Sequence, residues 1–150
     1  MTMRHDTCPL LSCNCKVNKL YNFKDVLVKK AGQNLIVEIG KFIGGQVQIE
    51  EQERVRKSDI YLDFAKTFNY TITFKIPQGY TVKGLDNLNV DVANTSGYFK
   101  STASIENNTV IINTEKVYQK NFVENKDWTS MTEWLDAAYE FSQAKILLQP

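Results

Sequence analysis

Histidine is almost missing from this 150-residue chain: His5 is the only one, and it sits near the start. Acyl-transfer enzymes need a nucleophile, a base and a group that orients the base. The body of the chain therefore has no histidine for a Ser-His or Cys-His pair. Cysteine is nearly as scarce, and Cys8, Cys13 and Cys15 all fall in the opening stretch "MTMRHDTCPLLSCNCKVNKL". With His5 they make four soft ligands close together. Zinc sites, however, favour two ligand pairs separated by a folded knuckle, and Cys13-x-Cys15 is one residue short of the usual spacing. The expectation is no metal and no cofactor, with residues 1–20 a flexible leader whose thiols are free or adventitiously oxidised.

Excess charge is also lacking. Lys and Arg number 18 against 17 Asp and Glu, a net charge of +1, which gives no field for gathering nucleic acid or anionic lipid. No apolar run approaches the roughly 20 residues that span a bilayer. The patch Pro9-Leu10-Leu11 is shorter than the roughly 7–15 apolar residues of a signal peptide. A Gly-rich phosphate loop, a His-Glu-x-x-His pair and an EF-hand spacing are all missing. Glu50, Glu51 and Glu53 are clustered in a run that reads as a solvated edge. No catalytic residue is assigned, and the chain is expected not to be an enzyme.

One tripeptide does match a catalytic signature. Gly44-Gly45-Gln46 has the composition of the tip that peptide-release factors carry into the ribosome. Here Val47, Gln48 and Ile49 follow, then Glu50 and Glu51. Acidic flanks oppose entry into an RNA-lined cavity. Two glycines ahead of an alternating segment read as a tight turn or bulge leaving a strand that ends near Ile43.

What is present is alternation with a period of two. "NFKDVLVKK" and "NLIVEIGKFI" read as a hairpin turning at Ala31-Gly32-Gln33. In "FNYTITFKIP", Phe68, Tyr70, Ile72, Phe74 and Ile76 face one way, with Asn69, Thr71, Thr73 and Lys75 opposite. Pro77-Gln78-Gly79 ends that strand. "YTVKGL" and "LNVDVAN" are extended, and Thr95-Ser96-Gly97 is a turn. "YFKSTASIE" and "TVIINTEKVY" flank Asn107-Asn108, a residue type that accepts positive φ, so a two-residue hairpin is expected.

The period then changes. Trp128, Met131, Leu135, Ala138 and Phe141, with Trp134 beside them, form one apolar stripe of a helix over about 127–146. Asp127, Thr129 or Ser130 is placed to cap it, and Lys145 suits its C-terminal dipole. The expected fold is mainly β: a single domain over residues 21–150, an antiparallel β-sandwich of about seven or eight strands with a C-terminal amphipathic α-helix packed on it.

From Glu53 onward, "ERVRKSDIYLDFAKTFNYTITFKIPQGYTVKGL" resembles the C-terminal β-sandwich domain of unknown function in bacterial transglutaminase-like multidomain proteins. The resemblance lies in Glu53-Arg54, in Phe68-Tyr70-Ile72-Phe74, in Pro77-Gln78-Gly79-Tyr80, and in the ending "MTEWLDAAYEFSQAKILLQ". It covers roughly residues 22 to 149 and lacks the Cys-His-Asp triad of the family's catalytic core. It implies a sandwich fold, an accessory role beside a transglutaminase-like core domain or another protein, and periplasmic or exported relatives, although this chain shows no signal peptide. The alternative reading is a small-ligand or carbohydrate-binding sandwich whose platform would be Tyr61, Tyr80, Tyr98 and Tyr118. Self-association through edge strands such as 23–29 is a further expectation.

Overall fold

The computed structural model describes residues 27–150. The leader with His5, Cys8, Cys13 and Cys15, and the first part of the expected strand (residues 23–26), lie outside the described residues. Ten strands and one α-helix follow in chain order. β1 (Val28–Ala31) and β2 (Asn34–Val37) form the expected hairpin across Gly32-Gln33. β3 (Ile60–Tyr61), β4 (Lys66–Lys75), β5 (Thr81–Lys83), β6 (Val90–Ala93), β7 (Gly97–Glu106), β8 (Thr109–Tyr118) and β9 (Phe122–Val123) precede α1 (Trp128–Ser142) and β10 (Ile146–Gln149).

The strands make two four-stranded antiparallel sheets, ordered β4-β8-β7-β6 and β1-β2-β10-β5, and a small β3-β9 pair. The class is the expected one, sandwich-like and mainly β. Strands beyond the expected seven or eight come from the two-residue pair and from β10. The β7–β8 hairpin turns through Asn107 (φ 47°) and Asn108 (φ 59°), both in the left-handed region that asparagine tolerates.

Alternation gives the large sheet one wet and one packed face. Register places Phe68, Tyr70, Ile72 and Phe74 of β4 beside Lys116, Thr114, Ile112 and Val110 of β8, and these beside Phe99, Ser101, Ala103 and Ile105 of β7. The opposite face carries Asn69, Thr71, Asn113 and Lys100, and Thr71 Oγ1 bonds Asn113 Oδ1 at 2.9 Å.

α1 lies on the packed face. All six stripe residues are buried, and Trp134 and Ala138 are fully enclosed. The Trp134 ring meets Tyr118 edge-on at 4.8 Å, and Phe141 tilts against Phe99 at 5.4 Å. Its indole N–H donates to Ser96 Oγ at 2.9 Å. Gly97 is required beneath it, because a Cβ there would run into the Val117 carbonyl and the indole. A buried aromatic of this size contributes about 3–5 kcal/mol, judged by truncation.

The outer side of α1 is crossed by the segment 46–57, which acts as a strap. Arg54 holds Asp136 with two hydrogen bonds, at 2.8 and 3.2 Å. The Trp128 indole donates to the Glu53 carbonyl at 2.8 Å, and Tyr139 donates to Gln48 Oε1 at 2.8 Å.

Three local expectations are corrected. The helix ends at Ser142 rather than at 146, because Ala144 N–H turns back to the Phe141 carbonyl and frees Ile146 and Leu148 to alternate inward as a strand. Lys145 therefore lies beyond the helix. Asp127 occupies the capping position without a side-chain bond, and Thr129 and Ser130 lie inside the helix. Finally, "NLIVEIGKFI" is a strand only to Val37. Ile39–Ile43 form a 3₁₀ turn, since the Gly40 N–H is taken by the Ala144 carbonyl behind the helix end.

Candidate functional site

Strand β8 carries an anomaly in its inward set. Val110, Ile112 and Tyr118 face the core as alternation requires, and Thr114 and Lys116 are in phase with them. Thr114 is 4% exposed and Lys116 is 7% exposed. Ser101, the register partner of Thr114 on β7, is equally buried. Neither hydroxyl has a hydrogen-bond partner among the described residues. Each such orphan costs about 1–3 kcal/mol.

Among the described residues the Lys116 ammonium makes one hydrogen bond, donating to Gln46 Oε1 at 2.9 Å. It also lies 5.2 Å from the Tyr118 ring centroid and 5.9 Å from that of Trp134. Ion pairs among the described residues involve Lys29, Lys41, Arg54, Lys100, Lys126 and Lys145, so Lys116 is a buried cation without a carboxylate. The nearby charge is of the same sign: Lys66 Nζ sits 5.0 Å from the same Tyr118 ring. Burial, and secondarily Lys66, pull the Lys116 ammonium down to about 8. Burial also raises the Tyr118 phenol above its usual range.

Facing these side chains is the loop formed by Gly44, Gly45, Gln46 and Val47. Gly44 adopts φ 76° with ψ 179°, a conformation that glycine alone enters without strain. The bend carries Gln46 back over the sheet. Its amide N–H₂ donates to the Ile43 carbonyl at 3.1 Å, which leaves the amide oxygen for Lys116. Between loop and sheet lies a cavity of about 300 Å³. Lys66, Phe68 and Tyr70 line it from β4, and Thr114, Lys116 and Tyr118 from β8. The tripeptide thus turns the chain, as expected, and also forms one wall of the site, which the sequence reading had left without a chemical role.

The four tyrosines expected to form a platform are not brought together. Only Tyr118 lines the cavity. Tyr61 projects from β3, 76% exposed, against the Phe122 ring at 4.9 Å. The Tyr80 hydroxyl donates to the Gln33 carbonyl at 3.2 Å. Tyr98 is on the wet face, its phenol raised chiefly by a hydrogen bond to Glu115.

The sequence pattern marks Gln46 only as part of a turn and leaves Lys116 and Thr114 unmarked, although the alternation itself carries a signal for the last two. Counting by twos from Val110 lands on Ile112, Thr114, Lys116 and Tyr118, which puts a cation and a hydroxyl where apolar residues belong. No helix among the described residues is long and apolar enough to cross a membrane.

A family model described as a domain of unknown function with a solved structure (DUF3858) matches residues 40–148. The matched span includes both walls of the cavity. Neither the curated proteins nor the solved structures give a match to this chain.

Proposed function

The chain belongs to the DUF3858 family, and we propose that it is a non-catalytic binding domain, an accessory module working beside a transglutaminase-like core. The observation that carries the binding role is the cavity under the Gly44–Val47 loop, where the fold maintains polar groups at a stability cost instead of filling the space with apolar side chains. Recognition asks only for shape and fixed polar groups. The accessory role rests on the resemblance from Glu53 onward.

Two measurements test the two halves. Thermal-shift screening with small acids, amides, peptides and glycans should raise the melting temperature for a subset, with backbone NMR shifts concentrated in β4, β8 and Gly44–Val47. A screen in which every shift maps elsewhere removes the binding role. Light scattering of an equimolar mixture with a separately produced transglutaminase-like core should show a complex, and the sum of free masses at high concentration would discard the accessory role.

Edge pairing between copies has support from β1 and from the ten-residue β4, each of which has a strand neighbour on one side only among the described residues. The expected mass in solution at high concentration is that of a dimer. A monomeric mass there rejects it.

A further inference from the structure

We infer that the cavity is a carboxylate-binding site, in which Lys116 Nζ and the Thr114 hydroxyl receive the carboxylate of a ligand whose apolar body lies against Phe68, Tyr70 and Phe99. This rests on the binding role proposed above and names the chemistry of the ligand.

The first ground is donor supply. An ammonium has three N–H donors, and Lys116 uses one on Gln46 Oε1. The other two have no hydrogen-bond partner among the described residues; the Tyr118 and Trp134 ring centroids lie 5.2 and 5.9 Å from the ammonium. The second ground is independent of charge. Thr114 lines the same cavity, is more than nine-tenths buried, and its hydroxyl has no partner among the described residues. One carboxylate can satisfy both groups, with one oxygen on the ammonium and the other on the hydroxyl.

The walls favour a monoanion on an apolar body. One cation is buried; Lys66 stands only partly covered over the Phe64, Phe68 and Tyr118 rings, where it adds attraction at the entrance. The residues lining this cavity include no arginine, so they offer no bidentate fork for a phosphate. Gln46 is a positioning residue: its bonds to the Ile43 carbonyl and to Lys116 keep the ammonium directed along the loop.

Binding should depend on pH with a definite sign. Among the described residues, the groups around the ammonium are Lys66 and Tyr70 of β4 and Tyr118 of its own strand, which share the cavity, Trp134 of α1 and an uncharged loop. None is a carboxylate. Lys116 without ligand titrates near 8, and a bound anion raises that value, so affinity is highest below pH 8 and falls as pH rises through it.

The test uses calorimetry or NMR titration of the full chain with phenylacetate, its neutral amide phenylacetamide, N-acetylphenylalanine and inorganic phosphate. Phenylacetate should bind at least about tenfold more tightly than the amide. Lys116→Met, checked for an intact fold by circular dichroism, should bind acid and amide alike. Tighter binding of N-acetylphenylalanine than phenylacetate points to a peptide C-terminus, and the reverse order to a free organic acid; each supports the site. Equal binding of acid and amide by the unsubstituted chain overturns the carboxylate inference while leaving a binding cavity. Phosphate displacing phenylacetate at equal concentration also overturns it. If no probe perturbs β4, β8 or the loop, the cavity's binding role falls as well.

Discussion

Replacing Lys116 with methionine should make this protein more stable. The side chain is 7% exposed, and burial with the Lys66 charge brings its ammonium from 10.5 down to about 8. That displacement corresponds to about 3 kcal/mol against the charged form in the fold. The hydrogen bond to Gln46 and the two ring contacts return about 1–2 kcal/mol. Methionine keeps the unbranched stem and buries no charge, so Lys116→Met should gain about 1–2 kcal/mol at pH 7, or about 3–6 °C in Tm. Urea denaturation at pH 7 and pH 10 checks the cause as well as the size. The folded pKa lies below the unfolded one, so between about 8 and 10.5 the unfolded state holds more protons and the lysine protein gains stability as pH rises. The methionine variant lacks that gain, and its advantage should narrow by pH 10. A variant no more stable than the parent at pH 7 would refute the reasoning, because the ammonium would then be held for its contacts and not despite its desolvation.

Other perturbations follow from the same structure. Gly97→Ala forces a methyl against Trp134 and the Val117 carbonyl, so it should cost about 2–3 kcal/mol in denaturant and weaken the near-ultraviolet tryptophan signal; an unchanged signal would mean the indole is not seated there. Glu38 is buried and bonded to Lys29 at 2.8 Å and Lys41 at 2.7 Å, which hold its carboxyl at about 2. Its contribution is present above pH 4.5 and is lost as pH falls toward 2, so Glu38→Gln should flatten the acid limb of the stability curve; identical acid limbs would show that the carboxylate carries none of it. Arg54→Ala removes the fork on Asp136 from a partly exposed pair, with little effect on global stability. Amide exchange over Val47–Glu53 should nevertheless accelerate, and unchanged exchange would show that the strap is held by Trp128 and Tyr139 alone.

How much could be read beforehand depended on whether a residue's role is local. Asn107-Asn108 announced a hairpin because few residues accept positive φ, and the β4 alternation announced a sheet with one buried face because side chains alternate by geometry. The Trp128–Phe141 stripe was visible for the same reason. "ILLQ" was not: four apolar-rich residues after a helix are compatible with a last helical turn or a strand, and only the places beside β2 and β5 decide. The Ile39–Ile43 turn likewise depends on the Ala144 carbonyl, more than a hundred positions away. For the site, Thr114 and Lys116 are legible in the phase of β8, but phase alone does not say which inward polar residues share a cavity. Gln46 was visible as a motif, yet its role is set by a bond across 70 positions of chain.

The place of β10 has a consequence for how the protein comes into being. Residues 146–149 lie between β2 and β5, so during synthesis both strands keep an open edge while the intervening chain is made. The nascent hairpin of β1 and β2 cannot find its central neighbour until translation has passed Gln149. Ordering of that sheet is therefore a late step, governed by contacts as distant in sequence as Leu35 with Leu148. Until then the exposed edges are surfaces on which a chaperone can act and on which aggregation can begin.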